Sequence, residues 1–427
     1  MCVAHGLTPL PHHVTNYLLF GLFAATLLGI ARFHKYAVQI AVTGLIGALV
    51  IRSFVGFPPS HHNPDGTVLG HFGGEWKELV NLSGLLLGFA ILADYFERSY
   101  MPEKLAEKLP TGKIGPFLLL LLIAVLSALL DNIAAALIGG AAAITLFKRK
   151  VHIGYLAAMV AASNAGGAGS VIGDTTTTMI WIAGASPLWV VEAAIGAIVA
   201  ISFFGIFASA QQNSLQPLIK PEEASPPVDK TKLVIVGMII VGTISTNIAF
   251  SFPALGVWIA IALGQLLSKA NWKALPHAAH GMVFLVCLVA AASMMPVEEL
   301  PAPSEWTALG LGFVSAFFDN IPLTKLAIDQ DGYDWGLLAY TVGYGGSMLW
   351  FGSSAGVALA GLFTEAKSVK NWLIHGWHVA VGYVLGFFAM LMVMGWHPQQ
   401  MPSDAGGGHE VHGEQHETGE PGETKDH

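Results

Sequence analysis

Charge is scarce in this chain. Only 11% of its 427 residues are Asp, Glu, Lys or Arg, while 54% are hydrophobic, a balance that excludes an ordinary soluble domain. Cysteine is nearly absent. Cys2 and Cys287 lie far apart, and Cys287 stands inside an apolar run, so neither a disulfide framework nor a cysteine metal site follows. No Lys or Arg precedes the first apolar run, only His5, His12 and His13, and that run reads as a retained span rather than a cleaved leader. The enzyme motif HExxH is missing too, which argues against an intramembrane metalloenzyme. No cofactor, transition-metal site or nucleic-acid partner is expected.

Uninterrupted apolar sequence is what the chain has in quantity, as in 17–30, 79–92 and 233–240. Roughly 20 apolar residues, at about 1.5 Å rise each, cross a ~30 Å hydrocarbon core. The pattern predicts an all-α polytopic membrane protein with about ten transmembrane helices, two hairpins and two broken helices. Three crossings (14–31, 36–52, 77–95) precede a hairpin over 114–147, a broken span over 153–182 and a crossing at 188–210. A polar linker, 211–232, joins this first unit (1–210) to a second (233–396). There the order recurs: crossings at 233–250, 253–267 and 279–294, a hairpin over 304–328, a broken span over 335–363, and a last crossing at 372–394. The His- and Glu-rich tail, 397–427, is expected to be disordered.

Lys and Arg set the orientation. Arg32, Lys35, Arg98, Lys104, Lys148, Arg149, Lys220, Lys269 and Lys367 all fall in connections that can face the cytoplasm together. The remaining connections carry Asp65, Glu75, Glu298, Glu299, Asp329, Asp331 and Asp334. Both termini then lie outside, and the hairpins enter from opposite faces of the membrane. This is an inverted-topology repeat, an architecture of secondary transporters.

The repetition is visible in letters. Ser127-Ala-Leu-Leu-Asp131-Asn132-Ile133 matches Ser315-Ala-Phe-Phe-Asp319-Asn320-Ile321, and Gly166-Gly167 with Gly173 matches Gly345-Gly346 with Gly352. The second hairpin has thirteen residues from Trp306 to Phe318 and eight from Ile321 to Ile328, too few to cross the bilayer, so both hairpins are expected to be re-entrant. Irregular backbone at that depth needs protein or a water-filled cavity around it. The glycine-rich stretches 164–170 and 343–347 are likewise expected to be unwound, since each Gly costs about 1 kcal/mol relative to Ala in a helix. One tip and one break from each half would meet near the midplane.

The polar residues at these places suit a small hard cation. Asp131, Asp174 and Asp319 are carboxylates in apolar surroundings. With them stand Asn132, Asn164, Ser170, Thr175, Thr176, Asn320, Ser353 and Ser354, all oxygen donors. Burial disfavours the charged form of a carboxyl group, so such a group can trade a proton for a metal ion near neutral pH. Lys325, just past the second tip, either neutralises Asp319, leaving Asp131 and Asp174 as the exchangeable pair, or reaches to the outer surface. Asp94 and the pair His375 and His378 read as helix-end and interfacial residues.

The stretch Asn164-Ala-Gly-Gly-Ala-Gly-Ser-Val-Ile-Gly-Asp174-Thr-Thr-Thr-Thr-Met-Ile-Trp181 closely resembles the signature of NhaD-type sodium/proton antiporters. The two Asp-Asn-Ile tips, and Phe351-Gly-Ser-Ser-Ala-Gly-Val357, are similar to other parts of that pattern, while Ala134-Ala135-Ala136 departs from it. The resemblance implies exchange of Na⁺ or Li⁺ for H⁺ in a bacterial inner membrane, by a homodimer with elevator-like motion. The wider ion transporter superfamily also contains citrate, dicarboxylate and arsenite carriers, so carriage of such an anion on the same scaffold is the alternative.

Overall fold

The computed structural model describes residues 12–57, 63–220 and 226–401; the expected disordered tail lies outside the described residues beyond Met401. The described residues form helices joined by turns. In chain order these are α1 (His12–Arg32), α2 (Ala37–Val55), α3 (Val68–Glu97), α4 (Met101–Glu107), α5 (Gly115–Leu129), α6 (Asn132–Leu146), α7 (Ile153–Ala168), α8 (Thr175–Ile182), α9 (Pro187–Val191) and α10 (Ala193–Leu215). They continue as α11 (Lys230–Phe250), α12 (Pro253–Gly264), α13 (Leu275–Ala292), α14 (Glu305–Ser315), α15 (Asn320–Gln330), α16 (Trp335–Gly345), α17 (Ser354–Leu362), α18 (Val369–His375) and α19 (Trp377–Val393).

Local chemistry sets many of these boundaries. Thr67 caps α3 by accepting from Gly70 N, Asp229 caps α11, and Ser304 forms a reciprocal capping box with Thr307 at α14. Pro116, Pro253 and Pro276 occupy first turns, where no amide donor is needed. Six stretches are long and apolar enough to span a bilayer, and α18 with α19 passes as a seventh that is bent by 58°. The chain is a multi-pass, all-helical membrane protein among its described residues.

The helices fall into two packed groups. One contains α1, α2, α3, α11, α12 and α13; the other contains α5–α10 and α14–α19. They meet mainly where α3 and α13 lie against α6, α8 and α15. Within the larger group α16 is buried along its whole length, and α7 everywhere except Ile153 and Gly166. Helices that are apolar all round belong at the centre of a bundle. Helix α7 runs into the chain break at 169–174, and α16 passes through a 3-10 turn, Gly346–Met348, into the break at 349–353.

One expectation is corrected here. The glycines of 164–168 and 343–345 do not unwind the chain; they lie inside α7 and α16. They are there for close approach. A Cβ at Gly166 would stand 2.2 Å from the Ala124 carbonyl oxygen, and one at Gly345 would stand 2.2 Å from that of Gly312. The helix-propensity cost is offset by a crossing that no larger residue permits. Beside each crossing a serine ties the tip arm to its broken span. Ser127 Oγ donates to the Ser163 carbonyl at 2.6 Å, and Ser315 Oγ donates to the Val342 carbonyl at 2.9 Å. The two motif copies therefore make like contacts.

Other differences are of extent. Helix α3 starts at Val68, well before the expected crossing at 77, and brings Glu75 into a helix rather than a connection. Helix α4 was not expected; Pro102 in its first turn starts it. The arms of the second hairpin, α14 and α15, have 11 residues each, and those of the first, α5 and α6, have 15. Eleven helical residues reach about 16 Å, roughly half the hydrocarbon core.

Candidate ion site

Three aspartates begin three helices. Asp131 caps α6 by accepting from Ile133 N at 2.8 Å, Asp319 caps α15 by accepting from Ile321 N at 3.1 Å, and Asp174 caps α8 through Thr176 N at 3.4 Å. Helix starts after a turn are where backbone donors lack partners, which is why the chain places carboxylates there. The positive end of each helix dipole then faces the same region as the carboxylate it stabilises.

Of the three, only Asp174 is reached by both halves. Asn132, at the first tip, donates to Asp174 Oδ1 at 3.2 Å; Asn320, at the second tip, donates to Asp174 Oδ2 at 3.3 Å. Asp174 is 2% exposed. The bare backbone of Gly343 lies beside it, where a Cβ would be 3.1 Å from Oδ2. Asn164 completes the cluster. It accepts from Asn132 Nδ2 at 3.1 Å and donates to Ser347 Oγ at 2.9 Å and Ser353 Oγ at 3.0 Å. Asp174, Asn132, Asn164, Asn320, Ser347 and Ser353 thus form one buried polar network drawn from α6, α7, α8, α15 and the second break. Among the described residues, none of the three aspartates is in an ion pair.

The remaining expected residues sit around this network. Ser354 donates to Asp319 Oδ2 at 3.1 Å, so these two form a separate pair. Asp131 and Thr175 line a crevice of about 10 Å³, with Thr178 beside them and Leu82, Leu85 and Phe89 of α3 opposite. That is room for about one water molecule. Thr176 is buried, and its hydroxyl oxygen has no hydrogen-bond partner. Ser170 contributes through its carbonyl, which accepts from Thr177 Oγ1 at 2.6 Å and ties the break to α8. Thr178 Oγ1 does the same to the Val171 carbonyl at 2.9 Å.

One expectation about charge fails. Lys325 neither pairs with Asp319 nor reaches the surface: it is 2% exposed, and its ammonium is held by Glu75 and Glu78 at 2.8 Å and by Asp329 at 2.9 Å. A buried lysine takes whatever carboxylates it can reach, and α3 brings two of them. His378 is fully buried inside the protein, with Nε2 3.3 Å from Gln211 Oε1. Asp94 keeps its helix-end role, paired with Arg98 and accepting from Asn271. Sequence reasoning missed Glu78 altogether. Its signal was the spacing 75, 78, 82, 85, 89, which places acids and apolar residues on one helix face.

A family model described as citrate transporter matches residues 13–345. Sodium/proton antiporter 1 of Arabidopsis thaliana is 25% identical over 321 residues, covering 64% of this chain and 54% of that protein. Sodium/proton antiporter 2 of the same plant is 26% identical, with 54% of this chain and 66% of that protein covered, so the chain spans between half and two thirds of these relatives. The Na⁺/H⁺ antiporter NhaD of Vibrio parahaemolyticus is 26% identical over 395 residues, covering 74% of this chain and 90% of that protein. With the family model covering most of its length, from the first helix to the end of α16, the chain belongs to the citrate transporter family.

Proposed function

We propose that this protein exchanges Na⁺ or Li⁺ for H⁺ across the membrane, with the ion held at Asp174. The observation that carries the reading is a buried carboxylate bonded to an asparagine from each hairpin tip and paired with no basic residue. In a dry site a carboxylate must hold a proton or a cation. Both are the cargo of an exchanger. To receive a cation, Asn132 and Asn320 turn their amide oxygens inward, and Ser353, Asn164 and the backbone of Gly343 are within the same network. Asp131 and Thr175, in the crevice beside α3, would line the approach; Asp319 with Ser354 would form the approach on the other half. The antiporter names of the relatives point the same way.

Carriage of citrate or another anion, which the family description favours, is the second reading. An anion needs positive charge at its seat, and Lys325 already serves three carboxylates. The same proposal includes an inverted repeat with re-entrant hairpins, and both termini on the outer side of a cell inner membrane.

In everted vesicles with an imposed acid interior, Na⁺ or Li⁺ is expected to dissipate the pH gradient, and Asp174→Asn to abolish that response while the protein still inserts. Dissipation by citrate alone, or full activity of Asp174→Asn, overturns the assignment.

A further inference from the structure

Helix α3 presents one stripe to the larger helix group. Glu75 and Glu78 form its charged end, and Leu82, Leu85 and Phe89 its apolar end, at the alternating three- and four-residue spacing that keeps side chains on one face. The charged end meets Lys325 of α15, and the apolar end closes the crevice that Asp131 and Thr175 line. Lys325 lies on the helix that begins with Asn320, whose amide reaches Asp174. One element therefore touches the second tip through charge and covers the first through hydrocarbon. The ion pairs to Glu75 and Glu78 join the two helix groups, whereas the pair to Asp329 stays within α15.

The charge cluster is poorly satisfied for a static staple. Among the described residues, Glu78 Oε1 and Asp329 Oδ2 are buried without a hydrogen-bond partner. A buried network left incomplete is costly in one arrangement and relieved in another.

We infer that Lys325 with Glu75 and Glu78 is a releasable ionic clasp that holds the α3 stripe over the Asp131 crevice, and that it opens when that crevice is exposed. The inference rests on the exchange reading, since an exposed crevice has a purpose only if an ion passes through it. Releasing the bridge leaves Lys325 with Asp329, a neutral pair on one helix, so the opened form does not strand a buried ammonium.

The test uses the full chain with Cys2→Ser and Cys287→Ser, carrying Leu86→Cys as a reporter on the crevice wall. The rate of modification by N-ethylmaleimide is read in purified protein. Glu75→Gln/Glu78→Gln, which cuts the bridge, is expected to speed modification at least fivefold. Asp329→Asn, which removes the carboxylate that keeps Lys325 paired in the opened form, is expected to slow modification or leave it unchanged, and not to speed it. Equal rates in the two variants, or no change in the first, overturn the clasp. If the double variant does not fold, Glu75→Gln alone is read by the same criterion, with a twofold rise as the threshold. Labelling does not involve the transported ion. A parent protein that labels as expected but shows no Na⁺ response refutes the exchange reading and leaves the clasp standing.

Discussion

At the scale of single residues, the arrangement around Asp174 makes a statement about acid. One carboxyl group that takes either a proton or a cation sets up direct competition. Lowering the pH favours the protonated form, which cannot hold the metal, so more Na⁺ is needed to displace the proton. The half-saturating Na⁺ concentration is expected to rise by up to about tenfold per pH unit on the acid side, at an unchanged maximal rate. Exchange rates measured over a grid of pH and Na⁺ check this. A half-saturating concentration that stays constant while the maximal rate falls would mean that the two ions do not share the group.

At the scale of elements, the crossings of α5 on α7 and of α14 on α16 hold the tips in place. Gly166 and Gly345 meet facing carbonyls so closely that a methyl group forces the helices apart. Gly166→Ala and Gly345→Ala are each expected to cost about 1–3 kcal/mol. Each should lower the thermal midpoint of the detergent-solubilised protein by several degrees. Gly361→Ala in α17 faces open space and should leave the midpoint unchanged or raise it. Equal behaviour of the three variants would show that the crossings are loose.

These elements also mark where the letters spoke and where they did not. The Asp-Asn tips were legible because the same seven-residue pattern occurs twice, and two members of the network, Asn132 and Asn320, lie in it. The role of Gly166 and Gly345 was misread because helix propensity is a local quantity, while close approach depends on a partner helix far away in sequence. Lys325 was misassigned for the same reason: Glu75 and Glu78 lie about 250 residues from it, and no local pattern joins them. The beginning of α3 was lost because Glu75 looks like part of a connection until its buried partner is known.

For the whole molecule, the proposed topology can be read without reference to transport. A reporter fused after His427 should be accessible from outside intact cells, and one inserted in the linker 211–232 only after permeabilisation. The opposite result reverses the orientation and the side on which each hairpin enters. The two halves match in their tips and crossings, yet they differ at one telling place. The position that corresponds to Asp174 in the second half, by the register that pairs Gly166 with Gly345, holds Ser353. The second break therefore carries a hydroxyl where the first carries a carboxylate. Under the proposed exchange, cargo seated at Asp174 finds no matching seat in the other copy and travels with its own, as on a ferry with one berth.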